Sequence, residues 1–119
     1  MSLKDNLPAG FTIPGSGPNL CVTNGAGVSV PYTALNGGDT NPFFESGIKL
    51  TDPNLTQGAI GTFNATSGSN VIVVTYDLEV DISAVAGQII TNTATILNYA
   101  GLTGGVNYAT TTDFATQTT

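Results

Sequence analysis

The sequence predicts an all-β fold built from two packed antiparallel layers, and three observations lead there. In residues 71–82, VIVVTYDLEVDI, every even position from Ile72 to Ile82 is apolar, and the odd positions turn polar after Val73, the period of a strand with one face in a core and one in water. No window longer than about ten residues carries apolar side chains at the i, i+3, i+4, i+7 spacing of a helix. Short Val-, Ile- and Thr-rich runs are separated by clusters of Gly, Pro and Asn, which punctuate strands with turns. At 119 residues the chain has room for one domain and one core.

Taken in order, residues 4–13 read as the end of a strand, a tight corner set by Pro8 and Gly10, and the start of a second strand. Residues 15–18 form a further turn. Two short β-runs then flank Asn24-Gly25, a strong hairpin signal. Pro31 belongs on an edge or at a bulge, since it has no N–H to donate to a ladder. A loop-rich stretch follows, with a short run at Ile48-Lys49-Leu50, and residues 59–70 read as a strand and a polar turn. In the long strand, Ile72, Val74, Tyr76, Leu78, Val80 and Ile82 share the core side. Val71, Val73, Thr75, Asp77, Glu79 and Asp81 share the other. Residues 83–87 turn the chain into a strand over 88–99, and a last short strand is expected around Val106 to Ala109. Residues 1–3 read as a cloning remnant, 4–109 as a single domain that has room for a missing first strand, and 110–119 as a Thr-rich tail or linker. Short strands at regular spacing point to an immunoglobulin-like antiparallel β-sandwich with Greek-key order.

Charge removes several functions. Two lysines, no arginine and no histidine stand against eight acids, for a net charge of −6. Nucleic-acid binding needs Lys or Arg to neutralise phosphates, and anionic membranes make the same demand. Without His, triad hydrolysis and His-ligated metals are excluded. The longest apolar run, Val71 to Val74, is far too short to span a bilayer, and nothing reads as a signal peptide. Cys21 is the only cysteine, so no disulfide closes within the chain, and it is expected as a small core residue.

The remaining candidates are few. Asp77, Glu79 and Asp81 line one face of the long strand; calcium would need six to eight oxygens from a folded loop, so a solvated face is expected, with no metal and no cofactor. Paired carboxylates across a cleft, as glycoside hydrolysis requires, are not indicated by the spacing, and no enzyme activity is expected. Asp39, Phe43, Phe44 and Glu45 mark a candidate contact loop, because two adjacent Phe rings cannot both point inward from a regular strand. Asn54 and Asn64 begin sequons that chance explains in a chain so rich in Asn and Thr. Asn92 has the parity of Ile90, Ala94 and Ile96, which puts its amide on the core side. An unpartnered buried amide costs about 1–3 kcal/mol, so Asn92 must bond to something. The two answers are a hydrogen-bonded clamp or a covalent bond from a buried neutral lysine.

Two motifs bring a family into view. D-N-L-P-A-G at 5–10 and V-A-G-Q-I-I-T-N-T-A-T-I at 85–96 resemble the opening and closing signatures of the immunoglobulin-like conserved repeat domains of bacterial cell-surface, adhesin-like proteins. These are similar in pattern to isopeptide-forming fimbrial pilin domains. The Thr-, Asn- and Gly-rich, Lys-poor composition agrees with that association. The resemblance implies an extracellular, non-catalytic structural or adhesive module with neighbouring repeats of the same protein as partners, cut here from a longer exported chain. It allows a glycan or protein ligand at surface loops. In the pilin relatives the matching Asn accepts an isopeptide bond, which would place Asn92 opposite a lysine. Lys4 lies at the edge of the D-x-L-P corner and Lys49 has the outward parity of its strand, so both are weak partners, and the hydrogen-bonded clamp is the favoured reading.

Overall fold

The computed structural model describes residues 1–51, 66, 68, 71–100 and 104–109, together with the backbone of 114–118. Nine antiparallel strands and one three-residue 3₁₀ turn, Pro42–Phe44, make up the regular structure of these residues. The strands are β1 Ser2–Asn6, β2 Phe11–Thr12, β3 Cys21–Asn24, β4 Tyr32–Ala34, β5 Ile48–Leu50, β6 Ile72–Thr75, β7 Glu79–Val80, β8 Thr91–Asn98 and β9 Phe114–Thr118. They form a five-stranded sheet in the order β4-β5-β1-β8-β9 and two two-stranded pairs, β2-β7 and β3-β6. The expected all-β, antiparallel class is therefore observed.

The two small pairs continue one another. Thr12 lies opposite Glu79 and Cys21 opposite Thr75, so residues 13–20 are an excursion of one strand across from Tyr76, Asp77 and Leu78. The Asp77 N–H donates to the Pro18 carbonyl at 2.6 Å, and the Asp81 N–H donates to the Gly10 carbonyl at 2.8 Å. The single strand expected over 71–82 is thus two short strands, β6 and β7, joined through residues 76–78 into one ribbon. Its apolar parity is half-buried from Ile72 to Leu78, then emerges, with Val80 69 % and Ile82 102 % exposed.

The core lies where this ribbon meets the five-stranded sheet. Val22 on β3 and Ile48 and Leu50 on β5 are buried together with Val30 and Phe43, and Leu3, Ile72, Val74 and Tyr76 pack against them. Leu3 faces Ile48 on one side and Ile96 on the other, which puts β1 at the centre of the sheet. Pro31 precedes β4, the outermost strand, as its missing N–H requires. The Asn24-Gly25 hairpin forms with a wider turn: Asn24 exchanges backbone bonds with Val28 and Gly27, and its Oδ1 accepts from the N–H groups of Ala26 and Val28, both at 2.9 Å.

The structure differs from the sequence expectation at four further places. Ser2 and Leu3, read as a remnant, are part of β1; Ser2 is buried and Leu3 packs on the core. Phe114–Thr118, read as a Thr-rich tail, pairs with β8, because Thr is a strand former wherever a ladder offers it a partner. Residues 105–109 form no strand; the Tyr108 N–H donates to the Tyr99 carbonyl, and Asn107 Oδ1 accepts from the N–H groups of Tyr99 and Ala109. Cys21, expected inside, is exposed, since the inward position of β3 belongs to its neighbour Val22. The strand expected over 59–70 and the sequons at Asn54 and Asn64 fall outside the described residues, apart from Thr66 and Gly68.

Ile48→Ala should cost about 2–5 kcal/mol in urea unfolding, the range for emptying a fully buried aliphatic site. The Cys21 thiol should react with an aromatic disulfide reagent in the native state at a rate close to that in denaturant; protection by orders of magnitude would place it inside.

Candidate functional site

Three polar side chains from distant parts of the chain meet beside the core. Asp5 lies opposite Ala94 in the β1-β8 ladder, so Asn92, two residues along, is its diagonal neighbour on the same face. Tyr76 follows β6 and approaches from the ribbon. The Tyr76 hydroxyl donates to Asp5 Oδ2 at 2.5 Å. The Asn92 amide donates to the same oxygen at 2.9 Å and lies 3.4 Å from the Tyr76 hydroxyl. Asp5 is only 2 % exposed. A buried carboxylate without partners is strongly unfavourable, and here two donors converge on one of its oxygens. Asp5 Oδ1 and Asn92 Oδ1 are buried without a hydrogen-bond partner.

The tyrosine carries the electrostatic consequence. Burial, the hydrogen bond to Asp5 and the Asp5 charge push the Tyr76 hydroxyl up to about 12, while the Asn92 amide opposes them. Its ring is held as firmly as its hydroxyl. It meets Phe44 edge-on at 5.0 Å between centroids and Phe43 at 5.8 Å, and the two Phe rings meet each other at 5.2 Å.

The lysines point elsewhere. Lys4 alternates with Leu3 and Asp5, so it projects from the opposite face of β1, where its ammonium lies 3.5 Å from the Glu45 carbonyl. Lys49 is exposed between buried Ile48 and Leu50. Neither makes a hydrogen bond to Asp5 or Asn92.

The loop 36–47 is tied to itself at many points. Asp39 accepts from the Asn36 amide at 2.7 Å and from the Ser46 N–H at 3.0 Å, and Glu45 accepts from the Asn41 N–H at 2.8 Å. Backbone bonds from Phe44, Glu45 and Gly47 close the 3₁₀ turn. Gly47 sits at φ +112°, and a Cβ there would meet Leu97 Cδ1 at 2.9 Å and the Leu3 carbonyl at 3.0 Å, so the loop returns to the sheet through a position only glycine fits. Of the four residues read as a contact loop, Phe43 is a core residue at 3 % exposure, and the Asp39 and Glu45 carboxylates bind the loop's own backbone. Phe44 is half-buried and lines an open groove of about 260 Å³ with Pro18, Tyr32, Thr40, Asn41 and Pro42.

The acid row on the ribbon is a set of separate surface groups. Asp77 accepts from the Asn19 amide, and Asp81 accepts from the Ser83 N–H, a bond that holds its carboxyl below the usual range. Among the described residues no three of the Cys, Asp and Glu side chains cluster as a metal site would need. Sequence reasoning placed Asn92 on the core side but missed both of its partners. A usable signal existed for Asp5: it shares the parity of Leu3. Tyr76 was read as core-facing, with nothing to say where its hydroxyl would go. Comparison with family models, with curated proteins and with solved structures finds no match for the chain.

Tyr76→Phe should destabilise by about 1–3 kcal/mol, because it leaves the buried carboxylate with a single donor. A double-mutant cycle with Asn92→Ala should show coupling of about 0.5–3 kcal/mol. The native hydroxyl ionises at about 12 and an unfolded tyrosine at 10.0, so above that lower value the unfolded chain releases a proton that the native state keeps. Stability from this group is whole below pH about 10 and is lost as pH rises through about 12. Alkaline unfolding followed by circular dichroism should show this loss in the parent protein, and Tyr76→Phe should remove that component.

Proposed function

We propose that the chain is a non-catalytic structural and adhesive module, an immunoglobulin-like β-sandwich repeat of a large exported bacterial surface protein. The observation that carries this reading is the use made of the side chains that could do chemistry. Asp5, Asp39, Glu45, Asp77 and Asp81 each accept hydrogen bonds from the protein's own groups, so they serve as fastenings. The Asp5–Tyr76–Asn92 cluster joins the first strand, the ribbon and β8, which suits a module loaded through its ends. The D-x-L-P and N-T-A motifs also come together, with Asp5 opposite Ala94 and Asn6 opposite Thr93 in the β1-β8 ladder. Neighbouring repeats of the same protein are the proposed partners, and the cell surface the proposed location.

The alternative is a self-crosslinked module with an Asn92–lysine isopeptide bond. What favours the uncrosslinked form is that the Asn92 amide donates to Asp5 while Lys4 and Lys49 lie on other faces. The intact mass should therefore equal that of the unmodified sequence. A mass lower by about 17 Da, one ammonia lost to amide formation, would establish the crosslinked alternative. Turnover of any substrate that a single point mutation abolishes would overturn the non-catalytic reading.

A further inference from the structure

We propose that the groove between the loop 36–47, Pro18 and the edge strand β4 binds a neutral carbohydrate. Tyr32 and Phe44 offer apolar ring surface to a sugar, and Thr40 and Asn41 read its hydroxyls. The proposal extends the adhesive half of the function above by naming what is adhered to, and the spacer role stands without it.

Three features select this ligand chemistry. First, the groove is built in advance. The Asn36, Asp39, Asn41, Glu45 and Ser46 bonds fix the loop, and Phe44 is braced edge-on against Tyr76, so little order is lost on binding. Second, the polar side chains at the groove are the ones the loop leaves unspent. The Asn41 carboxamide, the Thr40 hydroxyl and the Tyr32 hydroxyl have no side-chain hydrogen bond to the described residues, whereas both Asp39 oxygens and Glu45 Oε1 accept bonds beside them. An amide and two hydroxyls supply both donors and acceptors. Sugar hydroxyls match that mixture, while a proline-rich peptide, short of N–H groups, would use only the donors. Third, charge rejects acidic ligands. No lysine lines the groove, and the chain carries a net charge of −6, so sialylated, sulfated or phosphorylated ligands meet repulsion with nothing to neutralise them. The volume of about 260 Å³ lies just under the span of about 300–1,000 Å³ usual for small-molecule sites, and the open form lets a longer glycan continue past it.

The test is a titration of the ¹⁵N-labelled full chain, followed by amide chemical shifts. Probes are neutral hexoses, N-acetylhexosamines and their short oligomers, a sialylated trisaccharide and a proline-rich decapeptide. At least one neutral saccharide should shift the amides of Tyr32, Thr40, Asn41 and Phe44, and the sialylated probe should bind less tightly. Asn41→Ala leaves the backbone N–H that Glu45 uses, so it should keep a dispersed spectrum and lose affinity by about tenfold, the effect of one neutral hydrogen bond at the upper end of its range. Thr40→Ala should act in the same direction. Shifts in these residues with no neutral saccharide up to about 10 mM, the weak end of specific recognition, would overturn the proposal. So would shifts with the peptide alone, or saccharide affinity unchanged by Asn41→Ala. None of these results bears on the intact mass or the turnover assay, so the groove can fail while the module reading stands.

Discussion

The burial of Asp5 is the constraint around which the described structure is organised. A carboxylate at 2 % exposure is tolerated only if donors are brought to it, and its donors are 71 and 87 residues away along the chain. Satisfying one side chain therefore requires β1 to lie beside β8 in the register that sets Asp5 opposite Ala94. It also requires the ribbon to cross the sheet at the height that delivers Tyr76. A slip of one residue in β1 would turn Asp5 to the outer face and present Lys4 to Tyr76 and Asn92, replacing an acceptor with a third donor. The cluster thus specifies register through the cost of the alternative. Its own satisfaction is incomplete, with Asp5 Oδ1 and Asn92 Oδ1 unpartnered, which makes it a stronger device for specificity than for raw stability.

The same economy of charge runs through the loops. With only ten ionisable Lys, Asp and Glu residues in the chain, order outside the strands comes from short polar side chains that bond nearby backbone. Asn24 bonds the hairpin turn, Asp39 and Glu45 the loop 36–47, Asp81 the turn after β7, and Asn107 the stretch beside Tyr99. Each supplies an acceptor to N–H groups that no ladder reaches. An Asn- and Asp-rich composition that reads as loop is thus also the means by which the loops hold one shape. Loops fixed in this way can present a preformed surface without the burial that a helix or longer strand would need.

How much of this was legible follows the range of each interaction. The all-β class, the outermost place of Pro31, the β5 run and the core parity of Ile72, Val74 and Tyr76 depend on spacing a few residues wide, and all could be read locally. The ladder partner of Phe114–Thr118 could not, because a Thr-rich terminus has the same composition whether it frays or pairs with β8. Residue type alone misplaces Cys21, whereas Val22 and Val74, opposed across β3 and β6, settle which side faces in. Asn92 was legible as a problem, an amide on an apolar parity. Its solution depended on two residues chosen by the fold, one of them an acid in a turn motif and the other a tyrosine whose ring was visible but whose hydroxyl was not.

Tyr76 belongs to both halves of the molecule's chemistry. Its hydroxyl completes the donor set of Asp5, and its ring backs Phe44, which forms part of the groove wall. The position of the ring is therefore set by a hydrogen bond on its far side, and the wall of the groove inherits that setting through an edge-on contact rather than through the loop's own bonds. Replacing the tyrosine by phenylalanine would keep the ring and remove its tether, while replacing Asp5 would remove the reason for the tether. The loop bonds of Asp39 and Glu45 would survive both changes, because none of their partners lies in the cluster. Groove shape thus rests on two independent supports, a loop that fixes the backbone of residues 39–46 and a buried carboxylate that fixes the aromatic ring behind it. The second reaches the surface only through Tyr76.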